Sequence, residues 1–162
     1  MFSEEEIEKL RLAGEIASKV RRWVEGKVES GMKVLSLCEE VEEEIRRLGG
    51  KPAFPCNVDI NEVGAHYTPP PKGDLTIPEN SLVKVDLGVH VDGYIADTAV
   101  TVCLSEEYEA LKKAAEKALE VAIRAVKPGV KVSQVGFLIQ QTIEAMGFKP
   151  VRNLTGHSIG RF

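Results

Sequence analysis

Leu82–Leu104, LVKVDLGVHVDGYIADTAVTVCL, reads as two strands joined by a tight turn. Asp92-Gly93 supplies the turn, because a type I′ turn needs positive φ at both central residues. With those two residues as the loop, Val91 pairs with Tyr94, Gly88 with Asp97, and Asp86 with Ala99. Strand side chains alternate with period 2. Val83, Val85, Leu87, Val89 and Val91 therefore take one face, and Lys84, Asp86, Gly88 and His90 the other. Cross-strand partners share a face, so Asp86 and Asp97 point the same way as diagonal neighbours, with backbones about 7–8 Å apart. Two carboxylates that close repel unless a proton or a cation sits between them. Two readings stand side by side. Aspartates on the polar face of a strand are commonly solvated, or discourage edge pairing. A pair of them beside the small residues Gly88 and Ala99 also suits a metal ion. The hairpin by itself leaves both open.

The rest of the chain frames that hairpin. Its 162 residues suggest one domain, and a hydrophobic content of 43% can fill a core. The net charge is −4 and no basic block occurs, which argues against a nucleic-acid partner. No apolar run reaches the roughly 18 residues that a membrane span takes. The N-terminus, MFSEEEIEKL, is acidic and amphipathic, unlike a signal peptide. Cys38, Cys56 and Cys103 are odd in number and widely spaced. They fit neither a disulfide framework nor a zinc ribbon, and a cytoplasmic location with reduced thiols is expected.

Ser3 and Glu6 form a capping box that opens a first helix. Ile7, Leu10, Ala13, Ala17, Val20, Val24 and Val28 follow at helical spacing, and Gly31 is expected to end it. A second helix carries Leu35, Cys38, Val41, Ile45 and Leu48 on one face and stops at Gly49-Gly50. PAFPCNVDI predicts a short strand, and INEVGAHYTPPPKGD a stiff, non-helical loop. After the hairpin, Ser105 is expected to cap a helix through Val126, and Ser133 a helix to Met146.

A repeat is visible at an offset of 98 residues. Gly31, Lys33, Val34, Ile45, Gly49, Lys51 and Pro52 recur as Gly129, Lys131, Val132, Ile143, Gly147, Lys149 and Pro150. The apolar positions Ala13, Ala17 and Val28 meet Leu111, Ala115 and Val126. Helix grammar alone produces some of these matches, but the ordered agreement of stops, turns and faces favours duplication. The first repeat runs from about residue 3 to 104, and the second, incomplete one from 105 to 162. The expectation is a truncated or split form of a larger duplicated domain.

His66, His90 and His157 are the remaining candidates for chemistry. A lone loop histidine is more often a hydrogen-bonding residue than a ligand. His90 lies near the hairpin tip, away from Asp97, and is assigned no role. His157 sits in Thr-Gly-His-Ser-Ile-Gly, where glycines permit close backbone approach. The repeat alignment places it after a strand matching the one before the His66 loop, so it could join the aspartates. Imidazole with carboxylates suits Zn²⁺, Fe²⁺, Co²⁺ or Mn²⁺.

The segments GGKPAFPCNVDINEVGAHYTP, VDLGVHVDGYIADTAV and NLTGH resemble the N-terminal part of archaeal type 2 methionine aminopeptidases. The resemblance runs from the first helix to the last residue. It implies an α+β pita-bread fold, a curved antiparallel sheet covered by helices, built from two pseudo-symmetric halves. It implies two divalent metal ions held by two Asp, one His and two Glu. By motif, Asp86 would chelate one metal, Asp97 would bridge both, and His157 would bind the other. His66 would be the catalytic histidine that contacts substrate near its N-terminus. The implied activity is removal of the N-terminal methionine from polypeptides whose second residue is small. The two glutamates and a second active-site histidine have no motif counterpart here, so the missing half is expected elsewhere, as a separate chain if the gene is split. Two alternatives remain. One is a pita-bread binding module without catalysis. The other is a proline-specific peptidase, disfavoured because those carry an additional N-terminal domain.

Overall fold

The computed structural model describes residues 2–161. The elements follow as α1 (Glu4–Glu25), α2 (Val34–Arg47), β1 (Lys51–Pro52), β2 (Asn57–Ile60), β3 (Leu82–Val91), β4 (Tyr94–Cys103), a 3₁₀ turn (Glu106–Tyr108), α3 (Glu109–Ala125) and α4 (Val132–Ala145). They divide into two units. One holds the chain through Ser105 together with the segment from Ser158, and the other is Glu106–His157.

In the first unit the hairpin forms as its turn dictates. Asp92 and Gly93 adopt φ of 51° and 88°, the paired left-handed geometry of a type I′ turn. Val91 pairs with Tyr94, Gly88 with Asp97 and Asp86 with Ala99. The other edge of β3 is shared by two short antiparallel strands. β2 pairs Asn57 with Asp86 and Asp59 with Lys84, and β1 pairs Lys51 with His90. PAFPCNVDI is therefore two strands and not one. Ala53 N–H still donates to Gly88 O at 2.9 Å, but Pro55 has no N–H for the ladder and the chain leaves the sheet between them.

Val83, Val85, Leu87 and Val89 are fully buried, and α1 and α2 cover that face. α1 contributes Ala13, Ile16, Ala17, Val20 and Val24, and α2 contributes Val34, Leu37, Cys38, Val41 and Ile45. Each such side chain adds about 1.5–3 kcal/mol on burial when it is of Val, Leu or Ile size. The opposite sheet face keeps the polar residues.

The Ser3–Glu6 capping box forms, with Ser3 N–H donating to Glu6 Oε2 at 2.7 Å. α1 ends at Gly26 and not at Gly31. Val28 reaches the core from the turn that follows, which explains its apolar character. In α2 the buried arc holds Val34 and Leu37, with Leu35 about 100° away and only half-buried. Tyr94 clasps α1 to the hairpin tip: its hydroxyl donates to Glu6 Oε1 at 2.6 Å. That hydrogen bond, the largest cause, holds the Glu6 carboxyl below its ordinary value.

In the second unit α3 and α4 pack on each other. Ser105 does not cap α3, because the 3₁₀ turn intervenes and Tyr108 occupies the cap position. Nor does Ser133 cap α4. Lys131 precedes its first residue, and the Lys131 N–H donates to Gln134 Oε1 at 3.2 Å. α2 likewise follows Lys33, with no side-chain cap. No helix among the described residues is long and apolar enough to cross a membrane.

Candidate metal centre

The polar face of the first unit's sheet carries Asn57 and Asp59 from β2, Lys84, Asp86 and Gly88 from β3, and Asp97 from β4. Asp86 is half-buried and Asp97 exposed. Burial, and then the charge of Asp97, pushes the Asp86 carboxyl above its ordinary value, with Lys84 opposing. The first effect is the cost of charging a half-buried carboxyl, and the second is repulsion by a neighbouring carboxylate.

Gly88 is buried and leaves room for an aromatic ring on this face. A Cβ there would lie 2.3 Å from Phe54 Cε1. The Phe54 ring therefore lies against the strand at Gly88, directly across from Asp97, and gives the site an apolar wall.

The segment joining β2 to β3 brings His66 to this face. His66 is exposed, with φ of 69°, a left-handed conformation that costs a non-glycine residue about 1–2 kcal/mol. The backbone on its C-terminal side is fastened to β2. Val58 N–H donates to Tyr67 O at 3.0 Å, and Tyr67 N–H to Asp59 Oδ1 at 2.8 Å. Asn57 Nδ2 donates to Thr68 Oγ1 at 2.7 Å and to Pro55 O at 3.1 Å. His66 is near enough to Asp86 for its charge to favour the ionised carboxylate. His90 serves the turn, where its Nδ1 accepts the Gly93 N–H at 3.1 Å.

His66, Asp86 and Asp97 thus belong to the first unit, and His157, which is exposed, to the second. Among the described residues no group of three or more His, Cys, Asp or Glu side chains forms that could hold a metal ion. The aspartate pair itself fits a divalent cation. It presents hard oxygen donors from two strands, beside small residues, with one carboxyl destabilised as an anion by its surroundings. Phe54, Asn57, Asp59 and Lys84 are absent from the sequence-derived site. Pairing PAFPCNVDI with β3 would have found the last three, but the long connection between Ile60 and Leu82 hides that register.

A family model described as metallopeptidase family M24 matches residues 8–162. The chain belongs to metallopeptidase family M24. Within this M24 family, the chain is 50% identical over 155 residues to a methionine aminopeptidase of Methanocaldococcus jannaschii, covering 96% of this chain and 53% of that protein. It is 49% identical over 170 residues to a methionine aminopeptidase of Methanothermus fervidus, covering 96% of this chain and 90% of that protein. The solved methionine aminopeptidase of Thermotoga maritima superposes with a TM-score of 0.91 at 30% identity, over 99% of this chain and 68% of that one. The fold is therefore the pita-bread fold expected from the motifs. The chain spans about half the length of the M. jannaschii relative.

Proposed function

We propose that this M24 chain carries one side of the two-metal site of a methionine aminopeptidase. The observation that supports it most is the diagonal Asp86–Asp97 pair, with the Asp86 carboxyl pushed up by burial and by Asp97. Asp86 would chelate one divalent ion, Asp97 would bridge two, and His157 would bind the second. When bound, the ions, Co²⁺, Mn²⁺, Fe²⁺ or Zn²⁺, supply Lewis acidity that acidifies water and polarises a carbonyl.

The chain's own residues do the rest. Asp86 and Asp97 concentrate negative charge on one sheet face, which favours divalent cations beside them. The Phe54 ring offers an apolar surface for a methionine side chain. His66, held at a fixed backbone angle, presents an imidazole that can hydrogen-bond near the scissile peptide. The substrate is the N-terminal methionine of a cytoplasmic polypeptide with a small second residue.

The remaining metal ligands would come from the half that the longer relatives have, in the same polypeptide or as a separate chain. An internal duplication, with repeats from about 3 to 104 and from 105 onward, agrees with two features. α4 begins and ends 98 residues after α2. Gly31, Gly49, Gly129 and Gly147, paired at that offset, all adopt positive φ.

The test is release of methionine from a Met-Ala-Ser peptide by the complete gene product, with Co²⁺ or Mn²⁺ added. Release that Asp97→Asn abolishes is the expected result. Absence of release under every metal tried would leave the non-catalytic binding module as the better reading.

A further inference from the structure

Asp59 is 2% exposed, and its Oδ2 is buried with no aligned hydrogen-bond donor. A carboxylate oxygen in that state needs a countercharge nearby. Lys84 provides it, with Nζ at 3.1 Å from Oδ2. The two residues face each other across β2 and β3, so the contact is set by sheet register. The same ammonium donates to the Gly64 carbonyl. The second Asp59 oxygen, Oδ1, accepts the Tyr67 N–H at 2.8 Å.

The pair therefore fastens the loop at Gly64 and at Tyr67, on both sides of His66. Between those two anchors His66 adopts φ of 69°. A non-glycine residue keeps such a conformation only where its surroundings over-determine it. Here the Asp59–Lys84 pair acts on both flanks, alongside the Val58 N–H to Tyr67 O bond on the C-terminal side.

We propose that Asp59 and Lys84 are positioning residues, an ion pair with its carboxylate buried and its ammonium partly exposed, that fixes the backbone around His66 and so holds its imidazole beside the Asp86–Asp97 carboxylates. Asp59 and Lys84 touch neither substrate nor metal and act through the loop. The inference rests on the reading of Asp86 and Asp97 as metal carboxylates, and it deepens that reading by adding the device that orients its histidine.

The test uses NMR of the 162-residue chain, with Mn²⁺ as a paramagnetic probe. In the unaltered chain, Mn²⁺ broadens the His66 ring signals together with those of Asp86 and Asp97. In Asp59→Ala, the Tyr67 amide exchanges about tenfold faster, the effect of losing one hydrogen bond to a charged acceptor. The Cα signal of His66 moves toward its unfolded-chain value. The His66 broadening is lost while that of Asp86 and Asp97 persists. Lys84→Met, which keeps the apolar stem, reproduces the His66 changes, and Lys84→Arg, which keeps a cation opposite Asp59, reverses them. Amides of α1 and β4 report on the fold and keep their protection.

Unchanged His66 signals in Lys84→Met and Asp59→Ala, with the fold intact, overturn the proposal. So do identical changes in Lys84→Met and Lys84→Arg. If Mn²⁺ broadens neither aspartate in the unaltered chain, the pair does not hold the ion without the ligands of the other half. The metal-free His66 and Tyr67 signals then decide the positioning claim by themselves.

Discussion

Asp86 and Asp97 are diagonal neighbours on one sheet face, Asp86 opposite Ala99 and Asp97 opposite Gly88. The Asp92-Gly93 turn enforces that relationship, since a slip of one residue would move one carboxylate to the apolar face. Burial of Leu87 and Val89 on the reverse side makes such a slip costly. The hydrophobic effect on one face of β3 thus fixes the carboxylate geometry on the other.

Gly88 is required by packing. A Cβ at this position would stand 2.3 Å and 2.6 Å from Phe54 ring atoms, so Gly88→Ala must displace the ring. A loss of about 1–3 kcal/mol in urea unfolding is expected. A change below about 0.5 kcal/mol, the scale of ordinary surface substitutions, would show that Phe54 does not lie against the strand.

Leu87 is fully buried and Ile123 is 65% exposed. Leu87→Ala is expected to cost about 2–5 kcal/mol through lost burial and a residual cavity. Ile123→Ala is expected to fall within about 0.5 kcal/mol. Equal losses at the two positions in chemical denaturation would contradict a core organised on the back of β3.

Glu6 gives a pH dependence with a defined sign. Its carboxyl lies below the ordinary 4.5, first through the Tyr94 hydroxyl and then through the Ser3 amide. A depressed carboxylate stabilises the fold above its unfolded value, and that contribution disappears as pH falls through the folded value. The stability difference between the unaltered chain and Tyr94→Phe should therefore be present at about pH 6 and shrink toward about pH 3. Urea midpoints across that range measure it. A difference that stays constant would mean that the tyrosine acts by packing alone.

Where a short-range signal and a periodic pattern agreed, the fold was legible in the residues. Asp92-Gly93 with alternating valines yielded the hairpin register, and Ser3 with Glu6 yielded the start of α1. Features set by tertiary contact were not legible. Val28 lies at helical spacing but reaches the core from beyond the helix end. The Asp59–Lys84 pair depends on a long-range register with no turn to announce it. The shape of the His66 loop depends on that pair in turn. Asp86 and Asp97 could be named as a carboxylate pair from counting alone, whereas Phe54 against Gly88 could not, because only the break between β1 and β2 carries the ring there.

The most direct test of the metal centre is calorimetric titration of the 162-residue chain with Mn²⁺. The unaltered chain and His90→Ala, whose imidazole serves the turn, are expected to bind the ion alike. Asp97→Asn, which removes one of the paired carboxylate charges, is expected to lose most of that binding. Equal loss in Asp97→Asn and His90→Ala, or undiminished binding in Asp97→Asn, would contradict the assignment of the hairpin aspartates as metal ligands.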